Sequence, residues 1–195
     1  MRTSSSFAAL ADAGLITACL IVFPARAQQD EAALVQKRNE VREMARESLA
    51  ALYEVAPAAR RAVEHAAGYA ALSTFGIKIF FAGGTTGKGV VVNNRTHRDI
   101  FMKRVQVQAG LGFGVKKDRL IFVFETQNAL LAFVNRGWEF GGQASAAAII
   151  AAQGGTFAGA VSVSPGVYVY RLTESGFSAS LTIEATKFFK DDDLY

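Results

Sequence analysis

From Val105 to Val115 every odd position is apolar, and the even positions are Gln106, Gln108, Gly110, Gly112 and Gly114. A period of two is the side-chain period of a β-strand. The pattern predicts a strand with Val105, Val107, Ala109, Leu111, Phe113 and Val115 on a buried face. The other face loses its side chains at the three glycines. Glycine weakens a strand interior, so three in alternation imply close approach by another backbone or a helix, or a sharp bend. Lys116-Lys117-Asp118-Arg119 then reads as a basic hairpin tip, and Leu120-Ile121-Phe122-Val123-Phe124 as a buried return strand.

A chain of 195 residues that is half hydrophobic, with 15 Phe and 18 Gly, can build one sizeable core with many close backbone approaches. Its formal charge of +4 is unevenly spread. Residues 60–124 hold eleven basic and three acidic groups, net +8, whereas 28–59 are net −2 and 125–195 net −3. A strongly basic middle between acidic flanks points to an anionic partner.

Met1 to Ala27 reads as a secretory signal: Arg2, an apolar core from Ala13 to Phe23, Pro24 as a breaker, and the small-x-small site Ala25-Arg26-Ala27. The core is too short to span a bilayer. Cleavage after Ala27 makes Gln28 the expected mature N-terminus and removes Cys19, the single cysteine. The alternative uses Ile16-Thr17-Ala18-Cys19 as a lipoprotein box, with Cys19 acylated.

Asp30 to Ala56 has the spacing of a long amphipathic helix, and Pro57 suits the first turn of a second, Ala58 to Ala67. Ala70–Ser73 and Ile77–Phe81 are predicted strands. Gly83 to Gly89 reads as a glycine-rich turn before Val90-Val91-Val92. It fails the phosphate-loop pattern, because Ala82 stands where the first glycine belongs and Gly89 follows Lys88. Asn93 to Arg98 is a polar loop. Thr126 to Asn135 is a predicted helix capped by Thr126 and ended by Gly137. Gln143 to Ala152 fits strand or helix. Val167–Arg171 and Phe177–Ala185 form a second predicted hairpin, and Asp191-Asp192-Asp193 a solvated acidic tail.

No catalytic constellation is visible. His65 and His97 are far apart, and Arg95 and Arg98 surround His97. No serine occupies a nucleophile elbow and no metal set is spaced correctly.

The order of several motifs resembles the SYLF domain, also called the Ysc84 actin-binding domain. They are Ala66-Ala67-Gly68-Tyr69-Ala70, Gly83-Gly84-Thr85-Thr86-Gly87-Lys88-Gly89-Val90, Gln108-Ala109-Gly110-Leu111-Gly112, Phe122-Val123-Phe124, Gly141-Gly142-Gln143-Ala144-Ser145, Tyr168-Val169-Tyr170 and Gly176-Phe177. The likeness runs from Pro57 to Leu194, and Gly137 to Gln143 with Lys190 to Leu194 looks like the secreted bacterial branch. Ser180 and Ala185 depart from it by replacing glycines.

The resemblance implies an α+β fold: a curved, largely antiparallel, barrel-like β-sheet with an N-terminal amphipathic helix and two or three shorter helices. Together with the signal reading of the N-terminus, it divides the chain into a signal peptide (1–27), the amphipathic helix (28–56) and a SYLF-like domain (57–195). It also implies phospholipid binding through that helix and basic residues, with actin binding in some members. The expected function is therefore a non-catalytic module, without cofactor or metal, for anionic phospholipid headgroups or a membrane surface. The expected setting is the periplasm or outer membrane. The alternative is an interaction or scaffold domain with a protein partner, and no nucleic acid is expected. Candidate lipid contacts are Lys116, Lys117 and Arg119 at the predicted tip, with Lys103, Arg104, Lys88, Arg95 and Arg98.

Overall fold

The computed structural model describes residues 22–79, 82–109, 114–140, 150–151, 157, 159–173, 176–178 and 186–195. The expected signal segment up to residue 21, Gly110, Gly112 and most of 143–152 lie outside them. The chain divides into two compact units, Met1–Val35 and Gln36–Tyr195. The first unit is described from Val22, in helix α1 (Val22–Val55). Pro24 lies within the described span of that helix. Among the described residues no helix is long and apolar enough to cross a membrane.

The second unit is α+β, as the resemblance implied. Helices α2 (Ala58–His65) and α3 (Gln127–Arg136) join a curled antiparallel sheet. Its strands are β1 (Gly68–Ile79), β2 (Ala82–Asn93), β3 (Arg98–Ala109), β4 (Gly114–Phe124), β5 (Trp138–Phe140), β6 (Ile150–Ala151), β7 (Val161–Ser164), β8 (Val167–Thr173), β9 (Gly176–Ser178) and β10 (Thr186–Lys190). They lie in the order β5-β10-β3-β2-β1-β4-β8-β7-β6, and β9 also pairs with β8.

Three sequence expectations change here. β1 is one strand rather than two. The glycine-rich stretch is not a turn but lies in β2, paired with β1 on one side and β3 on the other. The basic quartet 116–119 is not a hairpin tip but lies within β4, which starts at Gly114. β3 and β4 do not pair with each other, because the β1–β2 hairpin lies between them. The four polar residues fall on both faces of β4, with Lys117 and Arg119 on one and the buried Asp118 on the other, and four polar residues in a row mimic a turn.

Alternation sorts the sheet into two faces. One carries Ala70 and Leu72 of β1, Val91 of β2, Met102 of β3 and Leu120, Phe122 and Phe124 of β4. These pack with Leu130, Phe133 and Val134 of α3 and with Phe188 of β10. Phe133 sits 5.3 Å from Phe122, 5.1 Å from Phe124 and 5.5 Å from Phe188 between ring centroids. Each such burial is worth roughly 1.5–3 kcal/mol. Helix α3 is set as predicted: Thr126 Oγ1 accepts from the Ala129 N–H at 3.2 Å, and Gly137 leaves the helix at φ 64°. The second hairpin is present over its described part, with Leu172 opposite Phe177.

The opposite face receives α1 from Gln36 onward. Val41, Ala45, Ser48 and Leu52 are buried, as are Val90, Phe101, Ile121 and Tyr170 of the sheet. Arg42 donates from Nε to Asp99 Oδ2 at 2.6 Å and lies 5.3 Å from the Phe101 ring centroid.

The glycines of β2 have a steric cause. A Cβ at Gly89 would lie 2.4 Å from Ala71 O and 2.6 Å from Leu72 Cγ, and one at Gly87 would lie 2.4 Å from Ser73 O. The β1 backbone fills those positions. Gly89→Val is therefore expected to lower stability by about 1–3 kcal/mol or more in urea unfolding. Thr86→Val, at an exposed site of the same strand, should change it by less than about 0.5 kcal/mol. Equal midpoints for the two variants would refute the close approach.

Candidate functional site

The eight basic residues singled out in the sequence divide into three groups. Lys88, Lys103, Lys117 and Arg119 lie on the α1 side. Lys103 pairs with Lys88, Lys88 with Ser73, and Ser73 with Arg119, so three of them share one row across four strands. The next row runs Lys187, Val105, Thr86, Phe75, Lys117. Neighbouring strands are about 4.8 Å apart, so each row is roughly 14–19 Å wide.

Arg95 and Arg98 form the second group, at the far end of the sheet. The turn there is built by Asn93, whose Oδ1 accepts from the N–H groups of Arg95 (3.0 Å) and Thr96 (3.2 Å). His97 takes the left-handed conformation at φ 52°. Five residue steps along β3 take Arg98 to Lys103, about 16 Å, so this loop is not part of the basic rows.

Arg104 and Lys116 form the third group. Arg104 is 5% exposed and lies on the α3 side. It cannot touch a flat membrane, which corrects its place among the surface contacts. Lys116 pairs with Gly76, a position on the same side as Asp118. Strand alternation thus separates Lys116 from Lys117 and Arg119, which a hairpin tip would have gathered.

Not every cation on the α1 side is free. Lys103 Nζ lies 2.8 Å from Asp191 Oδ1 and 2.5 Å from Asp193 Oδ2. Hydrogen bonds to both carboxylates push its pKa up, and the same ammonium pulls Asp193 down. Asp191 is buried, so the acidic end is not a solvated tail. It forms a 3₁₀ turn, Asp192–Leu194, clasped to β3 and further fixed by Arg38 Nε donating to Leu194 O at 2.7 Å. Arg119 reaches Glu47 of α1 at 3.3 Å. Lys88, Lys117 and Lys187 are exposed and form no salt bridge among the described residues. Beside them Val105 is 43% and Phe189 36% exposed.

The site is thus a sheet face on which lysines alternate with outward apolar side chains. Sequence reading missed Lys187 and Phe189, because β10 reaches β3 only through pairing across about 80 residues; Val105, expected on a buried face, is instead 43% exposed. A cleft of about 490 Å³ opens next to it, lined in part by Ala51, Val55, Ser73, Lys117, Arg119 and Leu172. Among the described residues no group of three or more His, Cys, Asp or Glu is placed to hold a metal.

The clasp makes a prediction with a defined pH window. Asp193 has a lowered folded pKa, so its contribution is present above its ordinary value of about 3.9 and is lost as pH falls through the lowered one. Lys103 has a raised one, so its share is complete below about 10.4 and is lost only as pH rises through the raised value. The Leu194 amide, bonded to Asp191 O at 3.0 Å, should be protected from hydrogen exchange between those limits. Protection should fall in stronger acid, and Lys103→Met should remove it at every pH. Full protection in that variant would show that the clasp does not hold the turn.

Residues 105–194 match the family model Ysc84, described as Las17-binding protein actin regulator. Beta cell expansion factor A of Aeromonas veronii is 26% identical over 159 residues, a match covering 82% of this chain and 59% of that protein. The chain thus spans less than two thirds of that relative's length.

Proposed function

With residues 105–194 belonging to the Ysc84 (SYLF) family, we propose that this protein is a non-catalytic module that docks on anionic phospholipid surfaces through the α1-side rows of its sheet. The observation that carries this reading is the alternation of free lysines, Lys88, Lys117 and Lys187, with the exposed Val105 and Phe189. Ammonium groups meet the headgroup phosphates, while the apolar side chains enter the interfacial layer. No reaction is required of the site. The proposed setting is the bacterial envelope, reached by export through the first 27 residues, or by an acylated Cys19 in the alternative processing.

Flotation with vesicles tests the reading. The full chain is expected to float with phosphatidylglycerol-containing vesicles at about 50 mM salt, to be largely released at about 500 mM, and to ignore phosphatidylcholine vesicles, because screening shortens the electrostatic reach. Failure to float with anionic vesicles at low salt would refute the membrane reading. It would favour the second one, in which the same basic face receives an acidic protein. The family description, which names binding to another protein, is the support for that alternative.

A further inference from the structure

The end of the α3 face away from the aromatic core is polar. Arg104, Asp118, Gln106, Thr85 and Thr186 are all buried there. Arg171 joins them with its side chain 11% exposed. Asp118 is the carboxylate that both guanidiniums approach: Arg171 Nε donates to Oδ2 at 3.0 Å, while Arg104 Nη1 stays 3.6 Å from Oδ1. Thr74 Oγ1 also contacts that Oδ1. Arg104 Nη2 donates to Gln106 Oε1 at 2.5 Å. Its Nε and Nη1 have no hydrogen-bond partner among the described residues.

A guanidinium carries five N–H donors and no acceptor, and a buried charge with unmet donors is costly. Burial pushes the Arg104 pKa down, Asp118 offsets this in part, and Arg171 adds to it. Arg104 thus keeps two buried donors that neither Asp118 nor Gln106 satisfies. Neither a cation nor an apolar ligand answers that demand. A phosphate group does, through several acceptor oxygens and full charge, and arginine is suited to it by geometry.

We infer that the polar end of the α3 face is a binding site for a phosphate-type oxyanion, with Arg104 as its anchor and Gln106, Thr85 and Thr186 beside it. The oxyanion is a phosphodiester headgroup or free phosphate, which present the same oxygens to Arg104. The site is separate from the membrane-docking rows, because Arg104 lies on the other side of the sheet.

Melting of the full chain tests it, with inorganic phosphate, glycerol 3-phosphate and dihexanoyl phosphatidylglycerol below its micelle concentration, each against chloride at matched ionic strength. A ligand held only by the folded state raises Tm with concentration. The expected result is a saturable rise beyond chloride, with apparent affinity reduced at least about tenfold in Arg104→Lys, which keeps the charge but loses the planar donor set. The variant Lys88→Ser, Lys117→Ser, Lys187→Ser should keep the wild-type response to inorganic phosphate, the arm in which no lipid reaches the docking rows. A larger response to the short-chain lipid identifies a headgroup site, and equal responses to all three identify a phosphate site.

The inference is overturned by no rise in wild type, by an equal rise in Arg104→Lys, or by loss of the rise in the surface variant, which would put the anion on the other face. If Arg104→Lys does not fold, the wild-type Arg104 Nε–H resonance decides. A saturable shift with phosphate supports the site, and a fixed resonance refutes it.

Discussion

Asp118→Ala is expected to cost about 3–5 kcal/mol, the loss usual when one member of a buried ion pair is deleted. The side chains of Asp118, Arg104 and Arg171 are 8%, 6% and 11% exposed. Alanine would leave both guanidiniums buried without the carboxylate they share. Domains are stable by only about 5–15 kcal/mol, so this is a large fraction of the total. Chemical denaturation in a phosphate-free buffer measures it. Replacing the three residues together by Arg104→Met, Asp118→Leu and Arg171→Met should recover much of the loss, because removing a whole buried ionic group removes its desolvation cost as well. A single variant within about 1 kcal/mol of wild type would mean that Asp118 is not what holds the two arginines.

The second large effect concerns vesicles. Lys88→Ser, Lys117→Ser and Lys187→Ser together should weaken binding to phosphatidylglycerol vesicles by roughly a hundredfold at low salt, because each cation near an anionic surface is worth about 1 kcal/mol and 1.4 kcal/mol is a factor of ten. Arg119→Ser should do much less, since Glu47 already takes part of its charge. Arg95→Ser with Arg98→Ser should also matter less, being at the far end of the sheet. The gap between wild type and triple variant should close as salt rises. A triple variant that floats like wild type would place the lipid contact elsewhere, while Arg95 and Arg98 outweighing the lysines would place it at the turn.

These contrasts depend on what was legible in the sequence. The helices were, because α1 and α3 show their apolar spacing, Pro57 marks the start of α2, and α3 carries both its cap and its stop. The apolar half of β4 was also legible, since Leu120, Phe122 and Phe124 alternate with Ile121 and Val123. The glycines of β2 misled because the close approach they permit is made by β1, and that contact exists only after pairing. Lys116 to Arg119 misled because both faces of β4 are polar there, Asp118 being a buried charge, so that the run has the composition of a turn. A usable signal for the interior cluster was present all the same. Asp118 keeps step with Leu120 and Phe122, and Arg104 keeps step with Met102, so both fall on the core side by parity. A charge in step with core residues marks a buried pair.

The place of β10 has a consequence for the order in which the sheet can be assembled. This strand sits between β3 and β5, although it follows β3 by some 80 residues in the chain. Until Thr186–Lys190 arrive, β3 presents a bare row of N–H and C=O groups along Met102–Gln106. Unpaired edges of this kind recruit strands from other chains. Pairing across some 80 residues is slow compared with closing the β1–β2 hairpin. Until β10 pairs, the open edge of β3 is also one of the chain's basic stretches, with Lys103 and Arg104 on it, and like charge disfavours edge-to-edge contact between copies.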